Sequence, residues 1–268
     1  MYISSDYDCK VLSEAARYVA HWMHRQPHVK EESITDWLLY EISEKRSNVA
    51  YHAFTRHEES SDTGADWEWW FLFHETAFKY RVQAKKVKTN ADNYPSVAYS
   101  NKNGLQIEML VDSANRSNAI PLYALYTAPT QARTACCADR TASSSGVFIV
   151  GASALSTSFL SHPRTKVTSD DLLRQSVPLS CFACCPLVRN ESGHDGFLDR
   201  YFASEVGAPD VRERNTPLGH HSEVPRYVEA VLRAHSQGEG AEWIEKEYRH
   251  DIGDTKALLI YDLRNKEG

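Results

Sequence analysis

The sequence lacks long hydrophobic runs and the short motifs of several common enzyme classes. In 268 residues, no stretch approaches the roughly 18 consecutive apolar residues that a membrane-spanning helix needs. The segment from Met1 to Lys10 has no apolar centre, so we do not expect a secretory signal there. P-loop and dinucleotide-binding glycine patterns, HExxH and the nucleophile elbow are also absent. These absences exclude membrane-spanning helices and several familiar nucleotide-dependent and hydrolytic classes.

The cysteines are arranged poorly for a disulfide framework. The six cysteines include adjacent pairs and one CxxC: Cys9, Cys136, Cys137, Cys181, Cys184 and Cys185. Without an export signal, we expect reduced thiols in a cytoplasmic protein. The last five contain enough thiols for a four-cysteine zinc site. A second CxxC is missing, so buried thiols are the preferred interpretation.

Length and charge favour one globular α/β protein. The chain is 42% hydrophobic and has a formal net charge of -6. These values exclude wholesale disorder and a uniformly basic surface. A local basic strip is still compatible with them, because phosphate contacts need positive charge only where they form.

Periodic segments predict alternating helices and strands. We expect helices at 14–24, from just after Glu32 to about 45 with Ser33 as N-cap, and at 104–115. Strands are predicted at 49–56, 66–74, 78–87 and 119–127, the second and third forming an antiparallel hairpin. A helical crossover to the fourth strand makes the sheet mixed. The aromatic run from Trp67 to Phe71 is assigned to the core rather than to base stacking.

After residue 128 the pattern is less regular. Strands are expected at 146–151 and 257–263, the latter closing the sheet, and helices at 169–175 and 224–235. We divide the chain into an N-terminal helix (1–30), a core (31–127) and a C-terminal α/β extension (128–268) packed on it, within one domain. The extension is expected to shape substrate access or an assembly surface, including that of a homo-oligomer.

The predicted hairpin brings together groups suited to binding a divalent cation. Asp66 opens one strand, and Gln83 and Lys85 lie two apart on one face of the next. A carboxylate and an amide oxygen suit Mg²⁺, which acidifies bound water, while an ammonium group stabilises a phosphoryl transition state. Glu32 and Glu68 are candidates for a further ligand. The alternatives are a turn acid for Asp66, a solvated edge-strand face for Gln83 and Lys85, and for Glu32 an acid favoured by the helix dipole.

This arrangement resembles the PD-(D/E)xK nuclease superfamily, in particular its Mrr-like branch, where Gln replaces the usual acid. The segments TGADWEWW (63–70) and VQAKK (82–86) also resemble an uncharacterised bacterial family within or near it. The resemblance implies a restriction-endonuclease-like αβββαβ core over 31–127. It implies Asp66, Gln83 and the helix-borne Glu32 as ligands of Mg²⁺ or Mn²⁺, and Lys85 as the catalytic lysine. Gln106 corresponds to a polar residue that faces DNA or the site.

A basic segment follows the same strand. Residues 79–88 carry five cations and no acid: Lys79, Arg81, Lys85, Lys86 and Lys88. Such a strip would bind a nucleic-acid backbone in a salt-dependent manner; the alternative is an exposed antiparallel sheet. The leading hypothesis is a metal-dependent nuclease acting on DNA, with bacterial defence or genome maintenance as its setting. An RNA nuclease and a non-catalytic interaction module that retains the fold are the alternatives.

Overall fold

The computed structural model forms an open mixed sheet flanked by helices. It describes residues 6–54, 65–87, 100–101, 104–130, 134, 144–152, 155, 168–184, 218–253 and 255–264. The described helices are α1 (Asp6–Arg25), α2 (Glu31–Glu44), α3 (Gln106–Arg116), α4 (Ser169–Arg174), α5 (Cys181–Cys184), α6 (Arg226–Gln237), α7 (Glu242–Glu247) and α8 (Arg249–Ile252). The described strands are β1 (Val49–Ala53), β2 (Trp67–Leu72), β3 (Ala77–Lys86), β4 (Ser100–Asn101), β5 (Gly104–Leu105), β6 (Ile120–Tyr126), β7 (Val147–Gly151), β8 (Val177–Pro178), β9 (His220–His221) and β10 (Ala257–Asp262).

The main sheet has the strand order β1-β10-β2-β3-β6-β7-β8, and β9 pairs with β3. β2 and β3 form the predicted antiparallel hairpin, in which Glu68 is opposite Arg81. β3 and β6 run parallel, and α3 lies between them in sequence. The predicted mixed sheet is therefore confirmed.

The C-terminal strand β10 lies inside the sheet. It pairs antiparallel with β1 and parallel with β2, and so separates two strands that are consecutive in the described sequence. The predicted strand at 257–263 is confirmed, but as an internal strand rather than one that closes the sheet. The sheet thus takes strands from both sides of the division made at residue 128.

The two faces of the sheet are covered by different helices. Because side chains alternate along a strand, the neighbouring residues Trp69 and Trp70 point to opposite faces. Trp69 belongs to the core cluster that includes α2 side chains, whereas Trp70 belongs to the cluster formed with α6. Both indole side chains are buried, as the sequence predicted for the aromatic run.

A disulfide between Cys9 and Cys184 joins α1 to α5. The expectation of reduced thiols is wrong for these two residues. Cys184 is therefore not available as a zinc thiolate, while Cys181 is buried. Cys136, Cys137 and Cys185 lie outside the described residues. In the described ranges, no helix has both the length and the apolar character needed to cross a bilayer.

Candidate metal centre

The register of three neighbouring strands aligns polar residues at one end of the sheet. Leu258 is opposite Glu68 in a parallel pair. Counting back two residues on both strands places Lys256 beside Asp66. On its other side, Asp66 comes beside Gln83, because Trp67 is opposite Val82. Strand pairing therefore places an ammonium, a carboxylate and an amide side by side on one face.

The carboxylate of Asp66 is held by both neighbouring strands. Its Oδ2 accepts hydrogen bonds from the Ala84 backbone N–H at 2.8 Å and from Gln83 Nε2 at 2.5 Å. Its Oδ1 lies 2.9 Å from Lys256 Nζ. One oxygen is thus fixed by neutral donors of β3, while the other contacts a cation.

Gln83 is oriented by the first residue of α3. Gln106 Nε2 donates to Gln83 Oε1 at 3.2 Å, and Gln83 Nε2 donates to Asp66 as well as to the Ala84 carbonyl. The prediction that Gln106 faces the site agrees with this contact. Its half-buried side chain contacts the amide of Gln83 directly.

Glu31, the first residue of α2, brings a second carboxylate to this end of the sheet. Its Oε2 accepts a hydrogen bond from the Lys86 backbone N–H at 2.6 Å, and its Oε1 lies 4.0 Å from Lys85 Nζ. Burial, together with the negative charge of Asp66, raises the pKa of Glu31 to about 7. The negative charge of Asp66 therefore acts on Glu31 at this end of the sheet.

Lys85 is a buried cation beside these carboxylates. Its side chain is 5% exposed. Burial lowers the pKa of Lys85. The negative charges of Glu31 and Asp66 oppose this decrease, and the positive charge of Lys256 adds to it. The charges of Glu31, Asp66, Lys85 and Lys256 therefore act on one another at this end of the sheet.

The helix-borne acid at the site is Glu31 rather than Glu32. Glu32 is exposed at the next helical position, where its charge still acts on Glu31 and Lys85. The sequence placed the helix start after Glu32, with Ser33 as the cap. The helix instead begins at Glu31, and its N-cap Lys30 makes no side-chain capping bond. The start of α2 therefore has no capping residue in the sequence that could have identified Glu31 as the first residue of the helix.

The predicted basic strip is wrong for Lys79 and Arg81. Both are buried on β3, and both pair with the buried carboxylate of Glu68, at 2.9 and 3.2 Å. Glu68 also accepts hydrogen bonds from Tyr227 of α6 and from Trp70. The suggestion that Glu68 adds a metal ligand fails for the same reason, because its oxygens are occupied by this cluster.

Lys86 is also engaged within the protein. Its Nζ donates to the backbone carbonyls of Pro27 and Val29 at 2.8 and 2.6 Å. This ammonium therefore fastens the segment before α2 to the end of β3, which helps position Glu31. Lys88 lies outside the described residues.

The donor set fits a hard divalent cation. Asp66 and Glu31 supply carboxylate oxygens, and Mg²⁺ is bound in proteins by one or two carboxylates with water completing the shell. Gln83 turns its NH₂ group toward Asp66 and its oxygen toward Gln106, so its amide must rotate before the oxygen can join the two carboxylates on a cation. Lys256 already places a positive charge against Asp66 Oδ1. No group of three or more His, Cys, Asp or Glu residues with metal-binding geometry occurs in the described part of the chain. The site would thus rely on Gln83 and water beside its two carboxylates.

The raised pKa of Glu31 gives a pH-dependent prediction for stability without metal. A carboxyl group whose pKa rises from 4.5 to about 7 on folding destabilises the protein as pH increases through that window. In EDTA, Glu31→Gln should therefore raise the free energy of unfolding by about 1–3 kcal/mol above pH 7 and by nothing below pH 4.5. Urea unfolding across this pH range measures the difference.

A matched Glu44→Gln change serves as the control, because Glu44 is exposed at the other end of α2. It should leave the pH profile of stability as in the unchanged protein. A Glu31→Gln effect that is equal at both ends of the pH range would contradict the assigned environment of Glu31.

Comparison with known families places the chain in a family whose reaction is not known. Residues 8–265 match DUF6615, a family of unknown function. The chain belongs to this family. The match to DUF6615 spans every residue of the site described above, from Glu31 on α2 to Lys256 before β10. A search of curated proteins gave no match. The chemistry must therefore be inferred from the site itself.

Proposed function

We propose that this protein is a metal-dependent nuclease that hydrolyses phosphodiester bonds, with DNA as its substrate. One observation carries the proposal: Asp66, Gln83, Lys85 and Glu31 converge at one end of the sheet from three separate elements. The resemblance of the D…QxK pattern to the PD-(D/E)xK superfamily supports it. We infer a restriction-endonuclease-like core on the same grounds.

The side chains suggest distinct roles. Asp66 and Glu31 would hold the cation, and the oxygen of Gln83 would join them once its amide rotates away from the hydrogen bond with Gln106. A bound Mg²⁺ or Mn²⁺ would lower the pKa of water and neutralise charge on a phosphoryl oxygen. The Lys85 ammonium is buried beside both carboxylates, where it can orient a water molecule and stabilise negative charge that develops on phosphate.

The preference for DNA rests on the resembling branch, which acts mostly on DNA. The corrected positions of Lys79 and Arg81 remove two phosphate contacts from the predicted interface. Lys256, 37% exposed at the site, provides a cation that the predicted strip did not include. Backbone contacts to nucleic acid would then come from the end of the sheet.

Cleavage assays with Lys85→Met test this function. The unchanged protein should cut plasmid DNA with Mg²⁺ or Mn²⁺ and not in EDTA, and single-stranded DNA and RNA probes define the preferred polymer. Loss of one preorganised transition-state cation typically costs about 10²–10³-fold in rate, which is the decrease expected for Lys85→Met.

Lys246→Met is the matched control, because Lys246 is exposed on α7. Its cleavage rate should equal that of the unchanged protein. Cleavage that persists in Lys85→Met at the full rate would contradict the assigned site. Faster cleavage of RNA than of DNA would retain the site and reverse the substrate preference. Salt-dependent DNA binding without cleavage under all metal conditions would instead favour an interaction module.

A further inference from the structure

Lys256 is a cation of the site that the PD-(D/E)xK resemblance does not account for. It immediately precedes β10, and its backbone carbonyl accepts a hydrogen bond from Phe54 N at 2.9 Å. Its backbone is thereby fixed beside β1, while its side chain is 37% exposed. The ammonium group can therefore move without disturbing the sheet.

The two oxygens of Asp66 differ in their partners. Oδ2 is fixed by Ala84 N and Gln83 Nε2, both supplied by β3. Oδ1 contacts the Lys256 ammonium at 2.9 Å. A divalent cation that binds Asp66 through Oδ1 must therefore share or replace the position of Lys256.

Charge repulsion disfavours the presence of a divalent cation together with the ammonium groups of both Lys85 and Lys256 at this site. The site already holds two ammonium groups, because Lys85 Nζ lies 4.0 Å from Glu31 Oε1 and Lys256 Nζ lies 2.9 Å from Asp66 Oδ1. A further double positive charge at Asp66 would increase this repulsion. The least costly response is for the more exposed ammonium to leave, since Lys85 is 5% exposed and Lys256 is 37% exposed.

We propose that Lys256 is a tethered counterion that binds Asp66 in the metal-free protein and moves to a nucleic-acid phosphate when a divalent cation binds. This inference rests on the proposed metal-dependent function of the site. It makes the binding of the cation and of DNA cooperative, because each favours the same position of Lys256. Such coupling is reciprocal.

Mn²⁺ binding, measured by electron paramagnetic resonance on the full chain, tests the proposal without an activity readout. Removing the competing ammonium in Lys256→Met should tighten Mn²⁺ binding about 10-fold, within the usual range of coupling between sites. The matched control Lys246→Met should bind Mn²⁺ as the unchanged protein does.

A second arm adds a short DNA duplex in the Lys85→Met background, in which the duplex should be cut about 10²–10³-fold more slowly. DNA should tighten Mn²⁺ binding when Lys256 is present and much less when it is replaced by Met. If Lys256→Met binds Mn²⁺ no more tightly than the unchanged protein does, the counterion role of Lys256 is overturned and the metal site is retained. Absence of Mn²⁺ binding from all the proteins overturns the metal site and the proposed function together.

Discussion

Asp66→Asn should abolish metal-dependent cleavage while leaving the fold intact. The carboxylate is the central group of the site, and a neutral amide loses the charge that attracts a divalent cation. Because a bound metal contributes several kcal/mol to transition-state stabilisation, we expect the cleavage rate to fall by at least about 10³-fold. The Asn side-chain oxygen can still accept the hydrogen bond from Ala84 N, which preserves the local backbone.

Plasmid cleavage with Mg²⁺ and Mn²⁺ measures this effect, and thermal unfolding verifies the fold. Asp112→Asn provides the matched control, because Asp112 is exposed on α3. Its cleavage rate should not change. An Asp66→Asn protein that cleaves at the original rate would show that Asp66 is not the metal ligand.

Glu68→Gln should strongly destabilise the protein without acting through the site. The buried Glu68 carboxylate neutralises Lys79 and Arg81 between the sheet and α6. Burial alone would raise the pKa of Glu68, but the two cations more than offset this effect and lower it. Removing one partner of a buried ion pair leaves an uncompensated charge, which typically costs about 3–5 kcal/mol.

Urea unfolding measures this loss, with Glu75→Gln as the matched control in the exposed turn between β2 and β3. A loss below about 1 kcal/mol would contradict the buried cluster. Replacing Glu68, Lys79 and Arg81 together with Met should recover much of the stability, because no buried charge is then left unpaired.

Local signals in the sequence predicted the hairpin and the polar residues that meet on it. The connection between the second and third strands is short, so antiparallel pairing followed, and with it the meeting of Asp66 and Gln83. Two-residue periodicity likewise placed Gln83 and Lys85 on one face. These residues could be predicted because their relationship depends on one hairpin.

The remaining features of the site depend on contacts between distant segments. Lys256 reaches Asp66 because β10 enters the sheet between β1 and β2, a pairing that the pattern of residues 257–263 does not specify. Lys79 and Arg81 share a strand face with Lys85, but Tyr227 of α6 and Glu68 bury their end of that face. A count of charges along β3 cannot reveal this cover.

The most direct test of the account is the crystal structure of the protein with Mn²⁺, using anomalous scattering to locate the ion. We expect one strong peak within coordination distance of a carboxylate oxygen of both Asp66 and Glu31, with Lys256 Nζ displaced from Asp66. A peak elsewhere, with the contact between Asp66 and Lys256 unchanged, would contradict the claim that this end of the sheet is a metal centre.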